Sequence, residues 1–150
     1  MLRLSKKADY ALMAMKHLAL RGDRGSSSAR EIAEMYDIPI ELMAKVLQRL
    51  VRRGLLASHQ GTRGGYQLSR LPRQITVADV IQAIDGPVTV TACSSDDGQC
   101  EQFAKCNVRD PLWRVRERIL AALGECTIAE LASDVPPPSP SRAAVLHTSL

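Results

Sequence analysis

The chain has 150 residues, 45% of them hydrophobic, and a net charge of +4, so it can bury one core, but its charges are unevenly placed: residues 1–75 carry 14 Lys/Arg against 6 Asp/Glu, and residues 76–150 carry 6 against 10. A basic half joined to an acidic half points to a polyanionic partner for the first half and a different task for the second. No run approaches the roughly 20 apolar residues of a membrane span, and His17, His59 and His147 are scattered, with no phosphate-binding glycine loop or paired carboxylates to make a catalytic constellation.

From Ser5 to Leu20 apolar residues recur at helical spacing, with Ala11, Met15, Leu18 and Ala19 flanked by Leu12 and Ala14, and Arg21-Gly22-Asp23 stops the pattern. With charges inside it and no small-residue cleavage site, this stretch does not read as a signal peptide, and the chain is expected to be cytoplasmic. Ser26-Ser27-Ser28 supplies an N-cap for a short helix over Ala29 to Tyr36, with Ile32, Ala33 and Met35 as core candidates and Glu31 at the capping-box position. Asp37-Ile38-Pro39 is a turn, and Pro39 suits the first turn of a third helix that runs to about Arg53 and is closed by Gly54. Leu42, Val46, Leu47, Leu50 and Val51 form the apolar stripe of that helix, and Glu41, Ala44, Lys45, Gln48 and Arg52 lie opposite. Two helices joined by a tight turn, the second with a polar basic face, make a helix-turn-helix whose second helix can enter a major groove.

After Gly54, the stretches Leu55–Gln60 and Tyr66–Arg70 flank the glycine-rich tip Gly61-Thr62-Arg63-Gly64-Gly65, which predicts a β-hairpin wing with Arg63 placed to reach phosphate or a narrow minor groove. Gly64-Gly65 needs no functional reason, since tight hairpins call for positive φ. Thr76 caps a helix over Val77 to Ile84 with Val77, Val80, Ile81 and Ile84 buried, and Asp85-Gly86-Pro87 ends it.

Cys93, Cys100 and Cys106 then fall within 14 residues of a Gly-, Asp-, Ser- and Gln-rich loop that has little to offer a core. Thiolates this close can converge on one soft metal or one iron–sulfur cluster. Clustered cysteines in a cytoplasmic chain favour that over a disulfide framework. From about Asp110 to Leu123 a longer helix carries Leu112, Val115, Ile119 and Ala122 at heptad spacing, with Trp113 and Leu120 on a second flank, the pattern of a helix packed on a partner subunit. Cys126 reads as a small apolar residue rather than a ligand, Thr127 caps a last short helix to about Leu131, and the Pro- and Ser-rich residues 133–150 read as a disordered tail.

LSKKADYAL, the helix-turn-helix, GTRGGYQLSR, ITVADVIQAIDGPV and three cysteines ahead of a long helix together resemble the Rrf-type winged-helix regulators over residues 1 to about 132. MLRLSK with DGPVTVTAC is most similar to the Suf-system branch, which is related to the Isc regulator and the nitric-oxide-sensing repressor. The resemblance implies a homodimer that binds double-stranded promoter DNA and carries an iron–sulfur cluster, 2Fe-2S ahead of 4Fe-4S, on Cys93, Cys100 and Cys106. The Isc-type regulator has a histidine three positions after its third cysteine, where this chain has Arg109, and a first cysteine gap one residue shorter. Asp9, matching an aspartate that the nitric-oxide-sensing branch supplies from its other subunit, is the first choice for the remaining ligand, with Asp110 or solvent second. The family's base-reading positions fall on Glu41, Ala44 and Lys45, with Gln48, Arg52 and Arg63 completing the expected DNA surface.

The expected architecture is mainly α: a winged helix-turn-helix over 1–84, a cysteine-rich cluster loop over 85–109, a dimerisation helix and short final helix over 110–132, and a tail over 133–150. The expected function is a non-enzymatic, cluster-controlled transcriptional repressor of iron–sulfur assembly, iron or redox genes. The alternatives are a DNA-binding regulator that uses structural zinc or a thiol redox switch, or a nitric-oxide-responsive repressor.

Overall fold

A computed structural model describes residues 3–22, 25–62, 64–90 and 100–133; Cys93, Arg63 and the tail from 134 lie outside the described residues. Helix α1 (Lys6–Arg21) starts at Ser5, whose Oγ accepts from the Ala8 amide at 3.1 Å, and ends at Gly22, with φ 55°. Ala8, Ala11 and Ala14 are fully buried along one side of α1. Their short side chains let neighbouring helices approach closely.

Helix α2 (Ala29–Met35) is capped by Ser28, and Asp37 makes the following turn at φ 53°, a conformation that Asp tolerates better than most residues. Helix α3 (Ile40–Arg52) follows, with Pro39 at its N-cap, one residue ahead of the expected first turn. Two core assignments change. Met35 is 65% exposed, because Ile32 and Ala33 occupy the inner side of this two-turn helix and Met35 points away from them. Met43 is fully buried, at the centre of a stripe with Val46, Leu47 and Leu50, while Leu42 and Val51 are its half-buried flanks. Glu31 also departs from its expected role: its carboxylate pairs with Arg21 at 3.4 Å, and the capping box forms instead at Thr76 and Asp79.

Strands β1 (Leu56–His59) and β2 (Gly65–Leu68) pair antiparallel, Leu56 opposite Leu68 and His59 opposite Gly65, and make the wing. Its base is fastened to the segment before α2, since Ser27 and Tyr66 exchange two backbone hydrogen bonds, of 3.0 and 2.8 Å. That close approach explains Gly65, where a Cβ would lie 2.6 Å from the Ser27 backbone in addition to its φ of 150°. Gly64 is required by crowding rather than by positive φ, because a Cβ there would lie 2.6 Å from the His59 carbonyl oxygen.

Helix α4 (Val77–Asp85) buries Val77, Ala78, Val80, Ile81, Ala83 and Ile84. Helix α5 (Arg109–Glu125) packs against α4 but buries none of its own residues in this chain. Helix α6 (Ile128–Ala132) returns to α1. Backbone bonds from Val77 to the Cys126 carbonyl and from Ile128 to the Ile75 carbonyl, both 2.8 Å, place Ile128 in the winged-helix core with no exposure. Ile128→Ala is expected to lower unfolding stability by about 2–5 kcal/mol. Urea denaturation checks this, and a loss well under that range would mean that α6 is not part of the core.

Candidate nucleic-acid interface and thiol site

The outer face of α3 carries Glu41, Lys45, Gln48 and Arg52 exposed, with Ala44 half-buried among them. These residues recur every three or four positions, so they share one face of the helix, opposite Met43, Val46, Leu47 and Leu50. The structure therefore brings together five of the six predicted DNA-facing residues. Arg63, the sixth, is at the wing tip in sequence and outside the described residues.

What holds the wing beside α3 was not visible in the sequence. His17, 9% exposed, lies with Nδ1 3.0 Å from the Tyr36 hydroxyl and Nε2 3.3 Å from Ser27 Oγ. One buried imidazole thus joins α1, the end of α2 and the residue to which the wing is hydrogen-bonded. Burial first, and the Arg21 charge second, push its pKa below the ordinary 6.5, against a smaller opposing effect of Glu31. Folding therefore favours the neutral ring over the charged one. Its partners stand 19 and 10 residues away, beyond any helical or strand period, and so escape pattern reading.

In the cysteine segment, Cys100 and Cys106 are half-buried free thiols on either side of a 3-10 turn, Phe103–Lys105. Arg109 fastens this turn, donating to the Phe103 carbonyl at 3.1 Å, lying 4.6 Å from the centre of the Phe103 ring, and pairing with Asp110 at 3.0 Å. Arg109 thus has a definite structural role at the position where the resemblance implied a histidine. Arg116, from α5, donates to the Val88 carbonyl at 3.1 Å and stacks 4.9 Å from Trp113, tying α5 to the strand of chain that enters the cysteine segment.

Cys93 lies outside the described residues. Among the described residues no three His, Cys, Asp or Glu side chains converge, so Asp9 is not brought to Cys100 and Cys106 within one chain. Asp9 sits half-exposed in the first turn of α1, where a carboxylate also suits the helix dipole, and Asp110 is exposed and paired with Arg109. In donor type the cysteines fit a soft centre: two accessible thiols are presented on a turn held by an arginine rather than by apolar packing. Cys126 has a different setting. Burial first, and a hydrogen bond with Glu130 second, push its thiol pKa up, and its carbonyl anchors Val77.

Comparison with known proteins gives a consistent result. The model of the family Rrf2, described as an iron-dependent transcriptional regulator, matches residues 4–134. The HTH-type transcriptional regulator IscR of Xenorhabdus nematophila is 35% identical over 134 residues, which are 89% of this chain and 80% of the relative. Among solved structures, CymR of B. subtilis, described as the global cysteine regulator, superposes with a TM-score of 0.75 at 29% identity, covering 91% of this chain and all of that one. IscR of T. potens superposes with a TM-score of 0.68 at 28% identity, covering 87% and 85%.

The buried histidine generates a pH dependence. The unfolded chain binds a proton first, so stability is complete above pH 6.5 and falls as pH drops through the lower folded value. Thermal unfolding across this range is expected to show the loss, and His17→Phe to remove that component. An unchanged pH profile in His17→Phe would assign the dependence to other groups.

Proposed function

The chain belongs to the Rrf2 family of transcriptional regulators, and from that premise we propose that it binds double-stranded promoter DNA as a homodimer and represses iron–sulfur assembly, iron or redox genes under control of an iron–sulfur centre held by Cys93, Cys100 and Cys106. In this reading α3 enters the major groove with Glu41, Ala44, Lys45 and Gln48 toward base edges, while Arg52 and Arg63 meet phosphate or minor groove. Residues 1–84 form the DNA-reading unit, 85–109 the sensing segment and α5 the dimer contact. The exposed apolar residues Phe103, Val108, Trp113 and Val115 support a partner surface there.

The observation that carries the proposal is where the cysteine segment is attached. It joins α4 to α5. The last turn of α4 holds α3 through Arg49, which donates to the Ala83 carbonyl at 2.9 Å, and holds α1 through Asp85, which accepts from the Ser5 hydroxyl and amide. Order in the cysteine segment therefore bears on both helices that set the recognition surface.

When bound, an iron–sulfur centre supplies a crosslink between thiolates that is sensitive to iron supply, oxidant and nitric oxide. The residues of the chain do the rest. Cys93, Cys100 and Cys106 would hold the centre, with Asp9 from the partner chain as the proposed further ligand, and Arg109 braces the turn between Cys100 and Cys106 through the Phe103 carbonyl. The DNA-competent state is favoured only by the difference in ligand affinity between the two states. A second reading keeps the DNA interface and uses the two free, half-buried thiols as a redox switch. Structural zinc is less well matched, because closed zinc sites take four Cys or His ligands.

Native mass spectrometry of anaerobically purified protein is expected to give a dimer carrying iron and sulfide, and Cys100→Ala a folded dimer without them. A colourless, iron-free dimer that binds its promoter identically before and after reconstitution would refute cluster control. For the wing, Arg63→Ala is expected to weaken binding alike on all sequences and to reduce the salt slope by less than about one ion. A loss confined to one base position would show that Arg63 reads sequence.

A further inference from the structure

A cleft of about 310 Å³ lies between the first turn of α1, α3 and the end of α4, lined by Lys7, Leu42, Lys45, Val46, Arg49, Arg52 and Ile84. Its floor is apolar and its rim cationic, with four basic side chains and no carboxylate. None of the four belongs to an ion pair among the described residues. Arg49 is fixed in place, because its Nε is committed to the Ala83 carbonyl at 2.9 Å, which leaves its terminal nitrogens free to donate. Converging unpaired cations repel one another, and an anion between them removes that cost.

We propose that this cleft is a phosphate-binding site that seats a DNA backbone phosphate beside the groove entered by α3, with Lys7 of α1 and Arg49 of α3 as contacts in addition to the α3 residues named above. The assignment rests on the DNA-binding reading above and extends it from one helix to two. Lys45 and Arg52 lie on the exposed face of α3 together with Gln48, so an anion in the cleft is continuous with that face rather than separate from it. A chain of phosphates along one strand meets this requirement. The apolar floor of Leu42, Val46 and Ile84 offers no hydrogen-bonding group to a base edge, so the site carries no sequence information. It orients α3 instead, clamping the duplex between the first turn of α1 and the recognition helix.

The test is binding of full-length protein to its promoter duplex and to an unrelated duplex over a series of salt concentrations, followed by fluorescence anisotropy. Lys7 is exposed and makes no hydrogen bond or ion pair among the described residues, so Lys7→Gln is expected to keep the native melting temperature. Its expected effect is a several-fold weakening, equal for both duplexes, and a salt slope reduced by about one ion. A neutral methylphosphonate at the seated phosphate is expected to weaken the native protein and to add little to Lys7→Gln, since the two remove the same contact. Unchanged affinity and slope in Lys7→Gln, or a loss confined to the promoter, would overturn the site while leaving DNA binding intact. Failure of the native protein to bind either duplex would overturn the DNA reading itself, and this site with it. Inorganic phosphate at constant ionic strength is expected to leave binding unchanged; competition that Lys7→Gln abolishes would make free phosphate the occupant and overturn the backbone assignment.

Discussion

The last turn of α4 is the constraint on which the arrangement depends. A helix C-terminus leaves carbonyls without intrahelical partners, and here they are met by Gly86 and by the guanidinium of Arg49, which also suits the negative end of the helix dipole. Asp85 is placed unfavourably with respect to that same dipole, and two hydrogen bonds from Ser5 offset the cost. Satisfying one helix end thus fixes three elements: α4, the recognition helix and the cap of α1. The cysteine segment starts at this same helix end, so its attachment point is already tied to α3 and α1.

The opposite end of the recognition unit is held by different chemistry. There the contact is a buried polar one, His17 with Tyr36 and Ser27, and Ser27 in turn pairs its backbone with Tyr66 of the wing. Buried polar groups tolerate few alternative arrangements, because each unmade hydrogen bond is costly in a low-dielectric interior. The wing is therefore positioned by specific pairing, whereas the helices are positioned by apolar packing around Met15, Met43 and Leu47. Helix α5 follows neither pattern. It meets α4 on one side and keeps Trp113 and Val115 exposed on the other.

The sequence alone was sufficient for the helices and for three of their caps, because Ser28, Thr76 and Thr127 each precede a periodic apolar run and each accepts from an amide three residues on, whereas Ser5, read as the start of the first helical stretch, is its cap. It was also sufficient for the exposed polar face of α3, because a helical face is a matter of spacing, and for the family, because its motifs are local. The fold decided what spacing cannot express. Arg49 and Lys7, 42 residues apart, share one cleft, and Ile128 fills the core of a unit whose other members lie up to 120 residues earlier. Met35 is exposed although its residue type argues for burial, Arg109 braces a turn, and His17 is a buried anchor. Each depends on which distant segments become neighbours. A local pattern fixes the direction of a side chain along its own element, while its partner and its role are set by the packing of elements against one another.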